Sequence, residues 1–347
     1  MSNESLKWSV AGKCVRGFTH IKQDKPCQDA IYTEQLENGA LIVVADGHGS
    51  ERCTYSEDGS RIAVGITANI LKELYNSQGR QDIIAHDDDV NELLKSIEKC
   101  WKKDVENYHN ENGRERLDQE KLYIKYGTTL LGVLVTPEFI FCLQLGDGDI
   151  IVVTKDKQVK FAIKKDNNLL GNETTSLCSY NSWKEIKTKV KYIKDEEPPV
   201  LILVSTDGYY NSFISVEEFK KVGLDYLHLI RNYGLDEVKK YIGAWLEDSS
   251  REGSGDDITL GLICSNQIDK VVDEISPCDN DREETTVKQE DNENISEKEE
   301  AIISPLKEVT TIIEIEEKKD EADTCLSKEL MEKECIDEIT KKQSLFK

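Results

Sequence analysis

Leu41-Ile42-Val43-Val44-Ala45-Asp46-Gly47-His48-Gly49 decides how the rest of the chain is read. Five consecutive apolar residues, three of them β-branched and too few for a helix, predict a buried strand. The strand stops at Asp46-Gly47. The same arrangement returns twice. Residues 200–204, all apolar, run into Ser205-Thr206-Asp207-Gly208, and Asp256-Asp257 precedes the apolar run 258–263. Asp46, Asp207 and Asp256 therefore share one position, the end of an apolar strand where a core sheet opens toward solvent. Asp147 sits in a fourth such place, the Gly146-Asp147-Gly148-Asp149 turn between predicted strands at 139–145 and 150–154.

A lone Asp-Gly after a strand is ordinarily a turn, because Asp bonds its own backbone and Gly supplies a positive φ. That reading is the better one for Asp207-Gly208 or Gly146-Asp147-Gly148 alone, and it is even with a functional one for Asp46-Gly47-His48-Gly49. The ordered set of four changes the balance. Carboxylates crowded at one edge repel each other unless a cation neutralises them, and hard divalent ions such as Mg²⁺ and Mn²⁺ take oxygen ligands.

Outward from these strands, residues 8–16, 29–34 and 128–135 read as further strands. Residues 60–77 read as a helix with Ile62, Ile66, Ile70, Leu71 and Leu74 on its apolar face. A second helix, 90–110, buries Val90, Leu93, Leu94, Ile97 and Trp101. Ser215-Val216-Glu217-Glu218 has the form of a capping box at a helix start, and another helix fits 235–247. Strands, then helices, then strands around one core give an α+β class rather than alternating βαβ units.

The 347 residues carry a net charge of −23, unevenly spread. Residues 269–347 hold 25 Asp and Glu against 12 Lys and Arg, no Gly, Trp or Tyr, and Phe346 as their only aromatic. Such a segment has little apolar surface to offset the entropy of ordering. The expected organisation is a folded domain over 1–268 and an acidic tail over 269–347, disordered or partly helical. Patches such as Ile312-Ile313-Glu314-Ile315 and Leu330-Met331 mark the places for a helix on a partner. No basic stripe stands out for nucleic acid, and no run of apolar residues is long enough to span a membrane. The N-terminus lacks the basic and apolar regions of a signal peptide, so the expected location is cytoplasmic. Ten cysteines without CxxC or zinc spacing read as reduced thiols. Cys27 and Cys53 lie beside the candidate site segments.

Five segments in order, Gln28-Asp29-Ala30, Asp46-Gly47-His48-Gly49, Gly127-Thr128-Thr129 with Gly146-Asp147, Ser205-Thr206-Asp207-Gly208 and Asp256-Asp257-Ile258-Thr259, resemble the metal-dependent protein phosphatases of the 2C type. The resemblance covers roughly residues 10–265. Pro26-Cys27-Gln28-Asp29-Ala30 and Asn172-Glu173-Thr174-Thr175 look like a divergent, mainly bacterial branch. It implies two packed antiparallel β-sheets flanked by helices, an αββα sandwich with the metal site at one end. It further implies hydrolysis of phosphoserine and phosphothreonine esters by a hydroxide bridging two Mn²⁺ or Mg²⁺ ions. In that scheme Asp46 bridges both cations and the Gly47 carbonyl binds one. Asp207 and Asp256 bind the other, Asp29 orders metal-bound waters, and Asp147 joins Asp207 at a weak third cation. His48 is the implied acid for the leaving oxygen, against its plainer reading as a turn histidine. The implied partner is a phosphorylated protein, such as the target of a cognate kinase.

The sequence departs from the family pattern in three places. Asp24 stands near the position of an Arg that grips the substrate phosphate, with His20, Lys22, Lys25 and Arg16 as replacements among which the sequence does not choose. Gly148-Asp149 replaces the usual Ser-Arg. Asn211 replaces an Asp four residues after Asp207. The competing readings are a pseudophosphatase or phosphoprotein-binding scaffold of the same fold, and a regulatory protein that works through its acidic tail.

Overall fold

In the computed structural model, which describes residues 6–77, 80–164 and 175–271, the chain runs β1 (Trp8–Val15), α1 (Phe18–Lys22), β2 (Asp29–Leu36), β3 (Gly39–Asp46), α2 (Ser56–Asn76), α3 (Arg80–Ala85), α4 (Asp87–Glu111), α5 (Gln119–Lys125) and β4 (Leu130–Val135). It continues through β5 (Phe139–Leu145), β6 (Asp149–Val153), β7 (Val159–Phe161), β8 (Lys187–Tyr192), β9 (Leu201–Ser205), α6 (Asp207–Tyr210), α7 (Val216–Tyr233), α8 (Leu235–Glu252) and β10 (Ile258–Ser265). These elements belong to a unit of Met1–Ser276; a second unit, Pro277–Lys347, lies outside the described residues, and with it the helical patches expected there.

The strands form two five-stranded sheets, ordered β1-β10-β9-β6-β7 and β2-β3-β4-β5-β8, and all their pairings are antiparallel. The interior strand β3 explains the unbroken apolar run of the sequence. Ala40, Ile42 and Val44 face the other sheet, where Ile202, Val204 and Ile263 meet them. Leu41, Val43 and Ala45 face the opposite way into a second core roofed by α2 and α4. With both faces covered, alternation disappears and every position is apolar. On the other sheet, α7 packs over β6 and β7, and α8 over β1 and β10, which completes the expected αββα layering.

Two local readings change. The face α2 presents to the sheet is Ala63, Val64, Thr67, Ala68, Leu71 and Leu74, all buried, while Ile62, Ile66 and Ile70 are only half-buried at its flanks. Small side chains let the helix sit close on β3, and the longer isoleucines fill the margins. At Ser215 half of the capping box forms. Its hydroxyl accepts from Glu218 N at 3.1 Å, but the Glu218 carboxylate pairs with Lys221 Nζ at 2.5 Å.

Candidate metal centre

Antiparallel pairing brings the aspartates together. Asp29 opens β2 directly opposite Asp46, the last residue of β3. In the other sheet β9 ends where β10 begins, so Asp207, just past β9, lies beside Asp256, just before β10. Asp149 pairs with Ser205, which sets the Asp147 turn at the same end. Asp46, Asp147, Asp207 and Asp256 line one cavity of about 650 Å³, together with Gly47 and His48.

The Gly127-Thr128-Thr129 segment clamps the backbone of Asp46. Asp46 N donates to Thr129 Oγ1 at 3.0 Å, and Asp46 O accepts from Thr129 N at 2.8 Å and Thr128 Oγ1 at 2.9 Å. Gly47 N donates to Gln28 O and His48 N to Gly127 O, each at 3.0 Å. A Cβ at Gly127 would meet His48 Cδ2 at 2.9 Å, so any larger residue there would displace the His48 ring. Asp29 is buried; its Oδ2 accepts from Thr206 Oγ1 and Thr259 Oγ1, both at 2.8 Å.

The electrostatics state what this arrangement lacks. Burial raises the pKa of Asp46 well above the usual carboxylate range, and the charges of Asp29, Asp207 and Asp256 push it further. Asp29 is raised by burial and then by Cys14 and Asp257, against the opposing threonine hydroxyls. Burial also raises Asp207 and Asp256. The Oδ1 atoms of Asp29 and Asp207 are buried with no hydrogen-bond partner among the described residues. An all-oxygen set with unsatisfied buried carboxylate oxygens fits a hard divalent cation and rejects an anion. For His48, burial lowers the pKa and the Asp147 charge works against that shift.

Asp257, which the sequence presented only as the neighbour of Asp256, holds the site's rear wall. Its Oδ1 accepts from Gly17 N at 2.6 Å, and its Oδ2 from Gln28 N at 2.6 Å and His20 Nδ1 at 2.9 Å. His20 is thereby tied to Asp257, with Nε2 3.9 Å from Asp256 Oδ1. Arg16 bonds His20 O at 3.1 Å and lies 3.6 Å from Asp24, and Lys22 lies over the Phe18 ring. Lys22, Lys25 and Arg16 are absent from the cavity lining; the one Arg or Lys that lines it is Arg52. Sequence reasoning passed over Arg52, although a cation four residues after His48 in the same loop was a readable signal. Asn211 Nδ2 donates to Asp207 Oδ2 at 2.9 Å, so the amide enters the site as a donor. Asn172, Glu173 and Thr174 lie outside the described residues.

A family model described as protein phosphatase 2C matches residues 16–247. The chain belongs to the protein phosphatase 2C family. The matched span stops short of Asp256. No curated protein matches the chain. Among solved structures, PppA, a regulatory component of the T6SS of Pseudomonas aeruginosa, is 15% identical with a TM-score of 0.48, over 75% of this chain and 98% of its own. The catalytic domain of the serine/threonine phosphatase PstP, in complex with 2 manganese ions, is 16% identical with a TM-score of 0.49, over 75% and 99%. A C. elegans sex-determining protein is 14% identical with a TM-score of 0.50, over 76% and 67%. This last likeness is one of fold alone, and identities this low say nothing of activity. Among the described residues no helix is long and apolar enough to cross a membrane.

Proposed function

We propose that this phosphatase 2C family member hydrolyses phosphoserine and phosphothreonine esters of phosphorylated proteins with the help of Mn²⁺ or Mg²⁺. The observation that carries the reading is the convergence of Asp46, Asp207, Asp256 and Asp147 in one cavity, with the buried Oδ1 of Asp207 unsatisfied among the described residues. Asp46, Asp207 and Asp256 would hold two cations, with the Gly47 carbonyl beside Asp46 and Asp147 toward a weaker third. When bound, such cations neutralise charge on phosphoryl oxygens and lower the pKa of coordinated water.

The chain's own groups do the rest. The two threonine hydroxyls on Asp29 Oδ2 aim its other oxygen, Oδ1, so that it accepts a proton or a water hydrogen in a fixed place. Arg52 has no ion-pair or hydrogen-bond partner among the described residues, and its guanidinium suits the non-bridging oxygens of a phosphate dianion. The His48 ring makes no hydrogen bond among the described residues, which leaves its nitrogens for the substrate. The Asp147 charge and a bound phosphate dianion favour the proton on His48 against its burial, and His48 then delivers it to the departing serine or threonine oxygen, a step needed most when that oxygen is a poor leaving group.

The test is hydrolysis of a phosphothreonine peptide by the full chain and by residues 1–268, the span proposed as the catalytic domain. Mn²⁺-dependent turnover that is lost with a chelator and in Asp46→Asn supports the reading. Binding of the phosphopeptide without turnover at any Mn²⁺ concentration would replace it with the scaffold reading.

A further inference from the structure

Two of the seven described cysteines touch each other across the sandwich. Cys14 lies in β1 of one sheet, and Cys27 lies two residues before β2 of the other. Their sulfurs are 3.4 Å apart. Both also face one acceptor, the Asp29 carbonyl, at 3.7 Å from Cys14 Sγ and 3.9 Å from Cys27 Sγ, and Cys27 Sγ is 3.8 Å from Val15 O. The sulfurs thus share one small space at the edge where β1 packs on β2. Both residues are half-buried rather than sealed, whereas Cys142 and Cys264 are buried in the sheets.

We propose that Cys14 and Cys27 form an oxidation site, which a peroxide closes into a disulfide joining the two sheets at the end where the aspartates converge. A disulfide sets its sulfurs about 2.05 Å apart. The closure asked of the sulfurs is therefore a little over 1 Å. One thiolate attacks a peroxide oxygen, the O–O bond breaks, and the departing hydroxide takes up a proton as water. The sulfenic acid so formed is attacked by the second sulfur, its S–O bond breaks, and a second water leaves. The two thiols lose two electrons and two protons to one peroxide. The bond closes a loop of roughly 14 residues that carries α1, and it tethers the segment leading into Gln28 and Asp29.

This proposal does not depend on phosphatase activity, and its test reads the bond directly. The reduced full-length protein is treated with about one equivalent of hydrogen peroxide, remaining thiols are alkylated, and the digest is mapped by mass. The expected result is a linked Cys14–Cys27 peptide lighter by two hydrogens than the reduced pair. It is accompanied by a Tm higher by roughly 6–12 °C, the shift for closing a loop of this length in a domain of this size. Cys14→Ser and Cys27→Ser should each abolish both signals. Full alkylation of Cys14 and Cys27 under conditions that oxidise a small dithiol would overturn the proposal. So would preferential linkage of another pair, such as Cys53 with Cys178, whose sulfurs each lie 3.3 Å from the space beside Gly127. If either Ser variant fails to fold, the wild-type peptide map still decides.

Discussion

Replacing Thr259 by Val removes one hydroxyl and keeps the side chain's shape. Thr259 is fully buried, and its Oγ1 donates to Asp29 Oδ2 at 2.8 Å. A hydrogen bond to an ionised group contributes about 1.5–3 kcal/mol, and a neutral one about 0.5–1.5 kcal/mol. At saturating Mn²⁺, where Asp29 is ionised, Thr259→Val should therefore cost about 1.5–3 kcal/mol. In metal-free protein burial raises the Asp29 pKa, and the cost should fall toward about 1 kcal/mol. Thr206→Val should cost more, because Thr206 Oγ1 also accepts from Thr259 N at 3.0 Å. Leaving that buried N–H unpaired adds about 1–3 kcal/mol. Turnover of a phosphothreonine peptide should drop on the order of 10–100-fold in both, since Asp29 loses its aim. Urea unfolding of each variant, alone and combined with Asp29→Asn, isolates the coupling. Thr→Ser at either position keeps the donor and should recover most of the loss. If Thr259→Val is as stable as wild type within about 0.5 kcal/mol, or if its cost is unchanged in the Asp29→Asn background, the hydroxyl does not hold Asp29.

Four further outcomes are expected. In metal-free protein Asp29, Asp46, Asp207 and Asp256 have folded pKa values above their unfolded ones. The folded state then binds more protons, so stability falls as pH rises from about 4 through the folded values. The urea midpoint should be higher at pH 5.5 than at pH 7.5, and Asp46→Asn should flatten that slope; an unaltered slope refutes the crowding argument. His48→Ala should slow phosphothreonine far more than an activated aryl phosphate, because the latter departs without a proton; equal losses make His48 structural. Arg52→Ala should raise KM for a small phosphate ester several-fold, with less change in kcat and partial rescue by Lys; an unchanged KM removes Arg52 from phosphate binding. Asn211→Asp exchanges a donor on Asp207 for a carboxylate, so it should lower the Mn²⁺ concentration for half-maximal rate and destabilise the metal-free protein. Superimposable Mn²⁺ titrations would separate position 211 from the metal.

Much of this protein was decided by short-range pattern. Residues 41–45 are apolar without alternation because β3 is covered on both faces, and a strand so covered needs no knowledge of its neighbours to be recognised. Asp46, Asp147, Asp207 and Asp256 were legible for the same reason: each interrupts apolar sequence at a strand end, and carboxylates there are costly without a cation. The fold class and order of elements followed. Short pieces such as α1, α3, α5, β7 and β8 did not, since so few residues carry no readable period. Neither did the buried face of α2, where small residues won over isoleucines because β3 lies so close.

What only the tertiary structure decided is which side chains meet. Asp257 and Asp256 are adjacent in sequence and chemically identical. Both line the cavity, but Asp257 spends its oxygens on Gly17 N, Gln28 N and His20 Nδ1, whereas Asp256 Oδ1 accepts only from the Asp257 backbone N among the described residues. Four nearby basic or imidazole groups were equal candidates for a phosphate. His20 is taken up by Asp257 and Arg16 by the His20 carbonyl, which leaves Arg52 as the lining cation. Cys14 and Cys27 come into contact because β1 and β2 lie at the same edge of two different sheets. Such meetings depend on register and layer packing, which are set by the whole core at once, and a strand's own residues carry no record of what lies across from it.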